Sequence, residues 1–216
     1  MMNFDVYGLP VDSSGSAGDT SMRAGMLAMC MHPMAPHLSN FEMTVHFDFE
    51  RSGLLLRHPR SYPWDNPWNF TRDQLLPMLA GLKVQKETDL LRRVFVSHAL
   101  RGFFCQDVQE DKPGSWKTPP NGPDMLAPQH IGALVIAGKI WPFYPFLPIA
   151  VLFLVIDLFI RNHDEQNQTI AMCSIYGKWA LWLYKQIRPD WDKYNVSYWT
   201  GQNQLEYADM IREYLK

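Results

Sequence analysis

The sequence predicts a mainly α-helical single domain carrying one small β-hairpin near residues 41–57. Three observations lead there. Apolar residues recur at helical spacing through most of the chain beyond residue 70. The stretch "FEMTVHFDF" at 41–49 alternates strictly, with Phe41, Met43, Val45, Phe47 and Phe49 on one face, which is the period of a half-buried strand. The chain has 216 residues, 47% hydrophobic and 19% charged, so it can bury a sizeable core, and that length favours one domain over two.

Residues 1–18 read as a loop, since "DSSGSAG" is too small and polar to pack. Asp19 or Thr20 can cap a helix to about Met31, with Met22, Met26, Met29 and Cys30 on its apolar side. After the hairpin, where "LLLRH" pairs back onto the first strand, helices are expected from Thr71 to about Leu82 and from about Thr88 to Phe104. A Pro- and Gly-rich loop spans 106–126. Pro128 suits a first helical position and Gly138 a helix end. One long helix is expected over about 169–187, where Cys173, Tyr176, Ala180, Leu183 and Ile187 recur. "RPDWDKY" breaks it, and Asn203 with Glu206 forms a capping pattern for a last helix.

"WPFYPFLPIAVLFLVIDLFI", Trp141 to Ile160, has the length of a membrane span. Pro142, Pro145 and Pro148 disfavour a regular helix through its first half, and Asp157 interrupts the rest. A buried core helix stopping near Asn162 is therefore favoured over a membrane-spanning or membrane-facing one.

Composition excludes several classes. The formal net charge is -2 and no Lys/Arg cluster builds a basic face, so a nucleic-acid partner is not expected. Cys30, Cys105 and Cys173 are far apart and odd in number, which fits free thiols better than disulfides or a zinc ribbon. His32, His37 and His46 do not have helix-ligand spacing, no His-Glu-x-x-His occurs, and the position of the expected bidentate Glu after "DSSGSAGD" is Arg23. Neither a metal nor any other cofactor is expected. Nucleophile-elbow, Walker and Rossmann patterns are absent from the sequence. "MMNFDVYGLP" has no signal-peptide pattern, so a cytoplasmic or phage-particle location is expected.

"WDNPWNFTRDQLLPMLAGL", 64–82, is the densest functional stretch. Thr71 and Gln74 have capping-box spacing, and Asp73 suits the positive end of a helix dipole. Arg72 has no such local role, and Pro77 predicts a kink. Trp64 and Trp68 either cover the core or form an aromatic wall for stacking sugars.

"LLLRHPRSYPWDNPWNFTRDQLLPMLAGL" resembles a pattern of uncharacterised phage and bacterial proteins, in which an Arg-His-Pro turn precedes a Ser/Thr-Arg-Asp-Gln helix start. "GDTSMRAGM" is similar to their Gly-Asp-Ser/Thr-x-x-Arg-x-Gly stretch, and Asp124 in "GPDMLAP" also matches. The resemblance runs from about Asp12 to Asp157. It implies a helical layout similar to α/α-toroids, many of which act on polysaccharides, in a partial or open form because the chain is short for a complete toroid.

Asp19 and Asp73 are the candidate catalytic carboxylates, since glycoside cleavage needs an acid and a nucleophile or base across the scissile bond. Arg23, one turn after Asp19, is either its orienter or its plain ion-pair partner. His58 is a candidate base. Arg23, Arg57 and Arg72 are candidate anion binders, with Arg101, Gln74, Trp64, Trp68 and Asp124 completing the substrate-binding set. His98 reads as a core histidine. The expected function is a hydrolase or lyase acting on an oligosaccharide or polysaccharide. The alternatives are a non-catalytic phage structural or interaction protein, and a membrane-associated protein using 141–160. Oligomeric state is not legible.

Overall fold

The computed structural model describes residues 2–15, 19–42, 53–59, 70–104, 125–160 and 166–216. Among these, the chain is mainly helical, with one small antiparallel sheet. The sheet lies in the segment read as a loop: β1 (Asn3–Phe4) pairs with β2 (Pro10–Val11). Strands of two residues show no period, so alternation cannot reveal them. What closes this ribbon is local chemistry. Asp5 Oδ1 accepts from the amides of Tyr7 and Leu9, each at 2.8 Å, and Gly8 takes the left-handed φ of 74° that the turn needs.

α1 (Thr20–Met29) is buried along all ten residues, not on one apolar side only. It packs against α2 (Arg72–Val84), the most extensive helix pairing in the fold. Gly25 meets Pro77 and Met78, while Gly81 meets Gly25 and Ala28. Contacts thus advance along both helices together, so α1 and α2 run parallel and their N-termini share one end. A turn at Gln85–Glu87, with Lys86 at φ 63°, leads into α3 (Thr88–Leu100). One core cluster runs from Leu9 to Leu215.

Leu38–Phe41 is a 3-10 turn, and β-pairing begins at Glu42, bridged to Leu55 in antiparallel sense. Leu56 N donates to Phe41 O at 2.8 Å. The body of the expected hairpin, 43–52, lies outside the described residues.

α4 (Pro128–Gly138) has the expected bounds. The long helix expected over 169–187 is instead two helices, α6 (Gln166–Tyr176) and α7 (Lys178–Ile187). Gly177, at φ 109°, breaks them, a conformation open to glycine that apolar spacing does not register. α8 (Trp191–Gly201) occupies "WDKY", expected as a break, and the N-cap position of α9 (Leu205–Tyr214) is Gln204, not Asn203, without a side-chain capping bond. Asn203 sits in the left-handed region at φ 53°.

Residues 141–160 depart most from expectation. Trp141–Phe146, with Pro142 and Pro145, forms a 3-10 turn, and α5 (Leu147–Ile160) follows with Pro148 in its first turn. It is not a buried core helix. Only Ala150, Leu154 and Leu158 are buried, a single stripe at four-residue steps. A helix apolar all round carries no sequence signal for which side faces inward, so its composition fits burial and exposure equally.

Candidate functional site

The parallel pairing of α1 and α2 brings Asp19 and Asp73 to one end of the molecule. There both carboxylates and Arg23 lie within electrostatic reach of the Tyr198 phenol on α8. Burial, first, and then the charges of Asp19 and Asp73 raise the Tyr198 pKa, while Arg23 and a hydrogen bond with Asn167 pull the other way. Tyr198 is therefore a neutral phenol at physiological pH. Asn167 comes from the first turn of α6, so the starts of α1, α2 and α6 converge here.

Asp19 occupies the N-cap position of α1 but makes no side-chain capping bond. Its Oδ2 stands 3.7 Å from Arg23 Nη1 instead, and its side chain remains 44% exposed. Arg23 is fully buried. Its Nε donates to Gln204 Oε1 at 3.0 Å and its Nη2 to Gln202 Oε1 at 3.4 Å. Gln204 Nε2 in turn donates to Val11 O at 2.7 Å, tying β2 to this guanidinium. Thr20 Oγ1, Ser21 Oγ and Arg23 Nη1 are buried and have no hydrogen-bond partner among the described residues.

In α2, Gln74 Oε1 accepts from the Thr71 amide at 3.2 Å, the reciprocal half of the capping box. The Thr71 hydroxyl donates to the Asp73 carboxylate. Pro77 has no N–H for the Asp73 carbonyl four residues back, so that carbonyl lacks its helical bond.

The remaining expected residues divide. Arg57 O accepts from the Ser21 amide at 2.9 Å, which sets Arg57 beside the start of α1. Arg72 stands half-buried in the first turn of α2. His58, the candidate base, is buried and bonded through Nε2 to Asp5 Oδ2 at 2.8 Å. Burial alone would raise the Asp5 pKa, but the bonds from Leu9, His58 and Tyr7 hold it below the ordinary value. That pair ties the 53–59 segment to the N-terminal ribbon. Arg101 is placed by its own helix, with Nη1 donating to Ser97 Oγ at 2.8 Å beside His98. Trp64, Trp68 and Asp124 lie outside the described residues.

Tyr198, Asn167, Gln202 and Gln204 escaped the sequence reading. Each joins the site through the fold, with no motif of its own.

An open groove of about 1000 Å³ lies elsewhere, lined by Met2, Phe4, Cys30, Met34, Met210 and Tyr214 among others. Cys30 caps the far end of α1, roughly 15 Å along the helix from Asp19, so the groove is remote from the acid pair. Burial raises the Cys30 thiol to about 12, which makes it a poor nucleophile. Among the described residues no group of three or more His, Cys, Asp or Glu could hold a metal ion. Comparison of the chain with family models, curated proteins and solved structures yields no match.

Proposed function

We propose that the end of the molecule where α1, α2 and α6 begin is a site for a polar polymer, and that its reaction is cleavage of a glycosidic bond. The observation that carries this reading is the shared neighbourhood of Asp19, Asp73 and Arg23 around Tyr198. A glycosidase needs one carboxyl to protonate the leaving oxygen and a second to act as nucleophile or base. In this reading Asp19 and Asp73 fill those roles, Arg23 orients Asp19, and the neutral phenol of Tyr198 donates to a substrate oxygen. Support also comes from the buried hydroxyls of Thr20 and Ser21, which have no hydrogen-bond partner among the described residues, since such groups cost about 1–3 kcal/mol each and call for a reason.

A second reading rests on its own observation. Arg23 is tied to Gln204, Gln202 and Asp19, and Asp73 to Thr71, so the same residues can act as ties between helix ends in a structural or particle-associated protein.

One experiment separates the two. The protein is screened by thermal shift and by reducing-end release against a panel of oligosaccharides and polysaccharides, alongside Asp19→Asn and Asp73→Asn. The hydrolase reading expects one substrate to stabilise all three proteins, with cleavage falling by about 100-fold to 10,000-fold in each variant. Binding by none of the proteins, or undiminished cleavage by Asp73→Asn, overturns it and leaves the structural reading.

A further inference from the structure

A helix on a water-exposed surface turns polar residues outward. α5 turns none. Pro148 aside, every exposed residue of α5 is a large apolar one, and Leu152 and Phe159 are 57% and 66% exposed. Asp157, its one charged residue, is half-buried.

The surface continues onto α7. Tyr176 and Ala150 both crowd Gly132, Tyr176 meets Trp179 edge to face at 6.4 Å, and Arg188 Nε donates to Leu158 O at 3.3 Å. α7 therefore runs beside α5 from the level of Ala150 to that of Leu158, with Trp179 and Trp182 exposed along it. The 3-10 turn ahead of α5 adds exposed Trp141 and Tyr144. With aromatic side chains offering about 150–250 Å² each, the apolar surface is on the order of 1,000 Å², well beyond the roughly 300–600 Å² of a monomer's largest patch.

We propose that this face seats the protein on a lipid bilayer bearing anionic headgroups, with α5 lying in the plane of the membrane. Three observations select that occupant. Aliphatic and Phe side chains make up the α5 face, while Trp and Tyr, which favour the headgroup level, lie beside it. The exposed cations Lys139 and Lys178 immediately precede Ile140–Trp141 and Trp179, and neither α5 nor α7 exposes an acid. Acidic lipids complement these cations. Finally, α5 is fastened to the body along Ala150, Leu154 and Leu158, and the helices before and after it, α4 and α6, contact each other in the core. Trp141–Ile160 is long and apolar enough to cross a bilayer, but a segment held to the body in that way lies on one instead.

The test is flotation of the full chain with vesicles of phosphatidylcholine alone and with about 30% phosphatidylglycerol. The protein should float with the anionic vesicles, its tryptophan emission should shift to the blue, and alkaline carbonate should release it. Leu152→Glu combined with Ile156→Glu should cut the bound fraction at least about tenfold at an unchanged melting temperature. Trp182→Ser, on the neighbouring helix, should weaken binding in the same direction, and Lys139→Glu with Lys178→Glu should abolish the preference for anionic vesicles. The proposal is overturned by no flotation, by unchanged flotation of the Leu152/Ile156 variant, or by a stable dimer that Leu152→Glu dissociates. Retention through alkaline carbonate would equally overturn it in favour of a spanning helix.

Discussion

Gly25 of α1 lies against the backbone of Pro77 in α2, and no side chain fits between them. A Cβ at Gly25 would stand 2.6 Å from both Pro77 O and Met78 N. This approach sets the parallel alignment that places Asp19 and Asp73 at the same end of the fold. Alanine in a helix interior is normally worth about 1 kcal/mol over glycine. Here the added methyl must push two backbones apart, and overpacking of that kind costs about 1–3 kcal/mol. Gly25→Ala should therefore lower the unfolding free energy despite its better helix propensity. Urea titration at constant slope checks this, and a stabilised variant would show that the helices are not in backbone contact.

Where the chain's chemistry is local, the sequence was a good guide. Thr71 and Gln74 cap α2, Pro128 and Gly138 bound α4, and Asp19 and Arg23 pair one turn apart. The features that escaped are non-local or carry no period. Gln204 lies 181 positions from Arg23, and nothing near either residue announces the bond between them. Gly177 interrupts apolar spacing that continues on both sides of it. α5 lacks any polar stripe to show which side meets the core, so its outward direction became visible only once Ala150, Leu154 and Leu158 were seen to contact the body. Asp19 and Asp73 were recognisable as candidates, but their meeting at Tyr198 depends on the α1–α2 packing and on a helix, α8, that the sequence did not suggest.

Gln204 provides the second prediction. It is fully buried, accepts from Arg23 Nε and donates to Val11 O, so it connects α1, the N-terminal ribbon and the start of α9. Gln204→Leu keeps most of the volume but strands a guanidinium N–H and a backbone carbonyl. At about 1–3 kcal/mol for each of the two stranded groups, the loss should be roughly 2–6 kcal/mol. Gln204→Glu restores an acceptor for Arg23 but not a donor for Val11, and should lie between wild type and the leucine variant. Thermal and urea unfolding of the three proteins measure the order, and equal stability of all three would mean that this bridge contributes nothing.

His98 gives the fold a pH dependence with a definite sign. Its ring is buried, and Nδ1 lies 2.8 Å from Val94 O, a contact in which the carbonyl accepts and Nδ1 carries the proton. Burial, chiefly, and the nearby charge of Arg101 lower its pKa from 6.5 to about 4. The unfolded chain then binds a proton at pH values where the folded protein does not, so stability rises with pH across that interval. There is no loss well above pH 6.5, and stability falls as the pH drops toward about 4, where the loss amounts to about 3 kcal/mol. His98→Leu removes the titrating group while keeping an apolar side chain in the core. The fall in unfolding free energy between pH 7 and about pH 4.5 should then be smaller in the variant by about 2–3 kcal/mol, the carboxylates contributing alike to both proteins. Denaturant titrations at the two pH values decide the matter. An equal fall in both proteins would mean that the folded state protonates His98 as readily as the unfolded chain does, and that the ring is not sealed from water beside Arg101.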